Sequence, residues 1–195
     1  MHQIEAHVPS KDLVKLVCGT VEEVLSHLPE VTIVHFACHG QQNTQNPFDS
    51  ALLLQNGQLK VSQIMQQSMS NASLAFLSAC ETAMGHENLP DEMIHLSAGL
   101  LFAGFRGVVA TMWWIVSRGL TNHVLIICRS ISDSDGPKIA KTFYENIFKE
   151  KNSALTSDSG LDTTQSAQAL HLAVAKLRAE NVSLIHWVPF IHLGR

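Results

Sequence analysis

Paired cysteines are missing from this sequence: of its four, Cys18, Cys38, Cys80 and Cys128, no two form a CxxC. A zinc site built on thiolates is therefore not expected. A basic excess is missing too. Lys and Arg number 13 against 17 Asp and Glu, for a net charge of -4, and they are scattered along the chain. Sequence-independent phosphate binding needs clustered positive charge, so no nucleic-acid partner is expected. No apolar run approaches the roughly 20 residues that span a bilayer. The N-terminal "MHQIEAHVPSKD" also lacks the apolar core of a signal peptide. No membrane partner is expected, and the expected setting is cytoplasmic or nuclear, where thiols stay reduced. Gly99, Gly104 and Gly107 do not make a GxGxxG after a strand, which removes a dinucleotide-binding reading. The chain shows no internal repeat.

What is present allows a sizeable core. Hydrophobic residues make up 46% of the 195 residues and charged residues 15%, which suits one domain, or one domain with a short appendage. Thr20 with Glu23 reads as a capping box, followed by Val21, Val24, Leu25 and Leu28 at helical spacing. "VTIVHFA" (31–37) is apolar on both alternating faces, as a central strand sandwiched between helices must be. "ALLLQNGQLKVS" reads as a hairpin turning on Asn56 and Gly57, and "SQIMQQS" as a short helix. "SLAFLSA" is a second buried strand. "DEMIHLSAGLLFAGF" is a helix with an acidic start and with Gly104 at its end, and "GVVATMW" a third strand.

The helix opened by Pro137 carries Ile139, Ala140, Phe143, Tyr144, Ile147 and Phe148 on one face. After a polar linker, a helix over 165–179 carries Ala169, Leu170, Leu172, Ala173, Val174 and Leu177. "VSLIHWVPFIHLG" is a last strand interrupted at Pro189. Strands alternating with helices predict an α/β fold with a mostly parallel sheet flanked by helices, in which ligands sit beyond the carboxyl ends of the strands.

Two of those ends carry chemistry. "VTIVHFACHG" ends on His39 and Gly40, and "LAFLSACETA" presents Cys80 just past its apolar run. A thiol becomes a good nucleophile when an imidazole lowers its pKa or takes its proton. Acyl transfer also needs donors for the developing oxyanion, which the backbone amides of Gly40 and Cys80 are placed to supply. For every cysteine the plain alternative is a small buried hydrophobe. His35 and His39 suggest a metal pair, yet on a regular strand they stand about 13 Å apart, so no metal site is expected. His95, His171 and His192 read as helix-face or strand-end residues.

"HFACHG", then "FLSACETA", then "LSAGLLFAGFRGVVATMW", with "WVPFIHLG" at the end, resemble the CHAT domain, a caspase-like family often attached to tetratricopeptide repeats. The resemblance runs from about residue 12 to the end of the chain. It implies a caspase-type fold and a cysteine endopeptidase that needs no cofactor and acts on a protein or peptide substrate. In that family the His of the His-Gly block is the base or imidazolium partner, and the Cys of the Ser-Ala-Cys block is the nucleophile. These carry over to His39, with Gly40, and to Cys80. Glu81, next to the nucleophile, is read as touching substrate or as an ordinary loop carboxylate. Asp49 and Asp133 are read as lining a pocket for a basic residue or as turn residues.

Two departures stand against the family pattern. Sheet elements usually precede the "VEEVLSHL" helix, so residues 1–19 are read as an N-terminal tail or truncated element and the domain over 20–195 as N-terminally incomplete, either a truncated gene model or a fragment of a larger repeat-bearing protein. Residues 114–129, "WIVSRGLTNHVLIICR", read as an insertion between "TMW" and "SISDSDGP". A retained intron is the expected source: Trp113 and Trp114 encode TGGTGG, which contains GT, and Arg129 can begin with AG, so that excision would keep frame. The rival function is a catalytically silent interaction module, truncated or plugged by that insertion.

Overall fold

The protein is described from a computed structural model, over residues 12–41, 43, 45–78, 80–81, 93–111, 135–149 and 163–194, with backbone alone at 80, 81, 93–95, 149 and 185. Helix α1 (Val21–His27) starts as its sequence dictates. Thr20 Oγ1 accepts from the Glu23 amide at 3.2 Å, and the Glu23 carboxylate accepts from the Thr20 amide at 2.8 Å. Two amides that a helix start leaves bare are thereby satisfied.

The chain then runs through β1 (Ile33–Phe36), breaks for two residues and resumes as β2 (His39–Gln41). A 3₁₀ turn (Pro47–Asp49) leads into the hairpin β3 (Ala51–Leu54) and β4 (Gly57–Lys60), then α2 (Val61–Met65). Strand β5 (Leu74–Leu77) breaks in the same way and resumes as β6 (Cys80–Glu81). Helix α3 (Met93–Phe102), β7 (Gly107–Thr111), α4 (Asp135–Lys149), α5 (Ser166–Ala179), a 3₁₀ turn (Leu184–His186) and β8 (Phe190–Gly194) follow.

The strands form two four-stranded sheets. One has the order β1-β5-β7-β8, with β1, β5 and β7 parallel and β8 antiparallel to β7. The other has the order β4-β3-β2-β6, antiparallel except for the parallel pair β2 and β6. This is the expected mixed α/β fold with a mostly parallel sheet. Among the described residues β1 lies at the edge of the first sheet, not at its centre. An edge strand covered on both faces has the same apolar run as a central one, so composition does not separate them. The buried centre is β5, whose Leu74, Ala75, Phe76 and Leu77 are all 0% exposed.

Successive side chains point to opposite faces of a strand, and the core divides accordingly. Leu74 and Phe76 of β5 and Val109 of β7 pack with Ile139, Phe143 and Ile147 of α4 and Leu170, Ala173 and Leu177 of α5. Ala75 and Leu77, with Val108 and Ala110, pack on the other face with Leu96 and Leu100 of α3, Val61 and Ile64 of α2, and Leu28. Leu172, grouped by sequence with the apolar face of α5, is exposed.

Local details position these layers. Helix α3 ends at Gly104, where φ is +120°; Phe105 N–H donates to Leu100 O at 3.2 Å and Gly104 N–H to Leu101 O at 3.1 Å, the paired bonds of a Schellman cap. Leu54 pairs with Gly57, so the hairpin turns on Gln55 and Asn56, one residue earlier than the pattern predicts. Asn56 Oδ1 then accepts from the Val21 amide at 2.9 Å, which docks the turn on the start of α1. The acidic start of the α3 segment at 91–92, residues 114–129, read above as an insertion, and the linker residues 151–162 lie outside the described residues.

Candidate active site

His39 and Cys80 are the first residues of β2 and β6, each reached after a strand break. Strand β1 pairs with β5 from Ile33 opposite Leu74 to Phe36 opposite Leu77. Beyond the breaks, β2 pairs with β6 in parallel, with His39 opposite Cys80 and Gly40 opposite Glu81. One register of 41 positions therefore runs through both ladders, from Ile33 to Leu74 and from His39 to Cys80. The two breaks have equal length, so they shift both strands together and leave residues 39 and 80 side by side. Neighbouring strands lie roughly 4.8 Å apart.

Strand β2 is held on its other side by β3, with His39 opposite Leu53. His39 is exposed and Gly40 buried. The break also separates His39 from His35, so the regular-strand geometry used to weigh them as a metal pair does not apply. Among the described residues, no group of three or more His, Cys, Asp and Glu is arranged to hold a metal.

Behind the break lies a polar chain that sequence reasoning missed. The His35 ring stacks on Phe76, its partner across the ladder, at 4.8 Å between centroids. Its Nδ1 is 3.1 Å from Tyr144 Oη on α4, and its Nε2 is 3.2 Å from Ser78 Oγ, in the break between β5 and β6. Burial pushes the His35 pKa down to about 4, because the charged ring would lose its hydration. A neutral imidazole has one donor and one acceptor nitrogen, and hydroxyls at both ends accept or donate as required. The chain from Tyr144 through His35 to Ser78 is thus satisfied without a charge. The pairing of His35 with Phe76 is set by the ladder, which the sequence does not spell out.

The other candidates sort differently. Burial pushes the Cys38 thiol up to about 11, which makes it a poor nucleophile at neutral pH. Asp49 accepts from Lys60 Nζ at 2.8 Å and from Asn46 Nδ2 at 2.7 Å, and the Lys60 hydrogen bond lowers its pKa. Its carboxylate already has a cation, which fits the turn reading better than a pocket for a basic residue. His192 is 2.7 Å from Ser166 Oγ and His171 is exposed on α5. The side chains of Cys80, Glu81 and His95, and Asp133 entirely, lie outside the described residues.

The CHAT domain profile matches residues 5–195. The chain belongs to the CHAT domain family. No curated protein matches it closely enough to be named beside it. The match takes in both strand breaks and the ladder that joins His39 to Cys80, so the candidate site lies inside the CHAT domain. That family is often a caspase-like peptidase domain, and the mostly parallel sheet with helices on its faces is consistent with a caspase-like fold. No described helix of this CHAT domain is long and apolar enough to cross a membrane.

Proposed function

We propose that this CHAT domain is a cysteine endopeptidase. His39 takes the proton of the Cys80 thiol, and the thiolate attacks the carbonyl carbon of a peptide bond. The amine leaves with the proton returned by His39, a thioester remains on Cys80, and water hydrolyses it to regenerate the thiol. The amides of Gly40 and Cys80 are assigned to the oxyanion. Glu81 and Asp133 are assigned to substrate contact, and no cofactor enters the reaction. The observation that carries this reading is the register placing His39 opposite Cys80 on adjacent parallel strands. A reducing cytoplasm keeps the thiol available, and tetratricopeptide repeats in a longer parent protein are the proposed means of bringing protein substrates to the edge.

The test is labelling by acyloxymethyl ketone peptides that differ in the residue before the electrophile, read cysteine by cysteine by mass spectrometry. Cys80 is expected to be labelled on the order of a hundredfold faster than Cys38, and His39→Ala is expected to remove most of that advantage at neutral pH. Equal labelling of all four thiols, unaffected by His39→Ala, would sink the endopeptidase and favour a non-catalytic interaction module.

A further inference from the structure

Ser78 is tied to β1 twice. Its amide donates to Phe36 O at 2.9 Å, and its hydroxyl meets His35 Nε2 at 3.2 Å. It stands in the two-residue break after Leu77 and two positions before Cys80, at the point where the chain leaves one sheet and enters the other. Within the break, Ser78 is held to β1 by one main-chain bond and one side-chain bond, and such side-chain bonds to neighbouring groups shape backbone outside regular ladders. His35 is itself fixed from behind, stacked on Phe76 and bonded to Tyr144 of α4. The hydroxyl therefore rests against a ring that packing holds in place, and such rigid support is what a precisely oriented reacting group requires.

We infer that His35 and Ser78 are positioning residues: their hydrogen bond fixes the break between β5 and β6 and so sets where the segment bearing Cys80 stands relative to His39. The inference deepens the endopeptidase reading and rests on it for its link to reactivity, while the fixing of the segment stands on the hydrogen bonds alone. Both act through the segment bearing Cys80, with no contact to substrate assigned to either. The nitrogen that matters is Nε2, which faces Ser78; Nδ1 serves Tyr144.

Four variants of the full chain separate these roles. Ser78→Ala removes one end of the bond with little change in volume, and His35→Phe keeps the stack while removing both bonds. His35→Gln places an amide near the position of Nε2, and His35→Asn near that of Nδ1. Each is alkylated with iodoacetamide over a range of pH, with Cys80 and Cys18 followed separately, and hydrogen exchange is measured at the amides of residues 80 and 81. Ser78→Ala, His35→Phe and His35→Asn are expected to slow Cys80 alkylation on the order of tenfold, as a small misplacement of a reacting group does. They should also move its pH profile toward that of an ordinary thiol, leaving Cys18 unchanged. His35→Gln is expected to rescue Cys80.

A Ser78→Ala chain with the wild-type Cys80 rate and profile overturns the inference, as does a His35→Gln chain no better than His35→Phe. If Cys80 of the wild type reacts no faster than Cys18, the endopeptidase reading fails on its own and exchange decides the positioning. Faster exchange at residues 80 and 81 in Ser78→Ala supports it, and unchanged exchange overturns it.

Discussion

His35 makes two hydrogen bonds from a buried, neutral ring, and this gives stability a pH dependence of known sign. Its folded pKa lies at about 4 against an ordinary 6.5, so as pH falls the unfolded chain takes up the proton first. The stabilising contribution is full above about 6.5 and is lost as pH falls from there toward 4, up to roughly 3 kcal/mol by linkage. Replacing the ring by Phe leaves the hydroxyls of Tyr144 and Ser78 without it, at a cost of about 1–3 kcal/mol, but removes the proton-linked loss. Urea midpoints should therefore show wild type ahead of His35→Phe at pH 7.5, with the gap narrowing or reversing by pH 4.5. A gap that stays constant would mean that His35 is not neutral in the fold.

At the level of elements, α2 and α3 approach each other closely at Gly99. A Cβ added at Gly99 would stand 2.3 Å from Val61 Cγ1, and Val61 is 2% exposed, β-branched and stiff at χ1. In an open helix, Gly→Ala gains up to about 1 kcal/mol. Here overpacking of about 1–3 kcal/mol outweighs that gain, so Gly99→Ala should lower the denaturation midpoint, and adding Val61→Ala should recover part of the loss.

The helices were legible in the sequence because capping chemistry and a 3.6-residue period are local signals: Thr20 and Glu23 marked α1, Gly104 the end of α3, and Phe143 and Ile147 the inner face of α4. The ends of the apolar runs pointed to His39 and Cys80 for the same reason. The strand breaks were not legible. Nothing in "VHFACHG" or "FLSACE" marks where a ladder stops, since Ala37, Cys38 and Ser78 suit a strand as well as a break. The chain through His35, Ser78 and Tyr144 was hidden too, because it joins residues 43 and 109 positions apart, and only the packed fold shows which face of β1 meets α4.

At the scale of the whole molecule, the first sheet separates two apolar layers with distinct membership. Ile64 belongs to one and Ile139 to the other, exposed by 1% and 0%. Ile64→Val and Ile139→Val should each cost about 0.5–1.5 kcal/mol. Without a shared partner their effects should add to within about 0.5 kcal/mol. A larger coupling, measured by chemical denaturation of the two single variants and the double, would show that the sheet passes strain from one layer to the other.

The paired breaks in β1–β2 and β5–β6 act as a crease folded through two ribbons at once. Residues between the ribbons, in the hairpin or in α2, can be added without moving His39 away from Cys80, because the ladder rather than the contour of the loop sets their alignment. One residue added to a single arm of the crease would do what no loop insertion can: slide that ribbon by a full step and turn its tip to the opposite side.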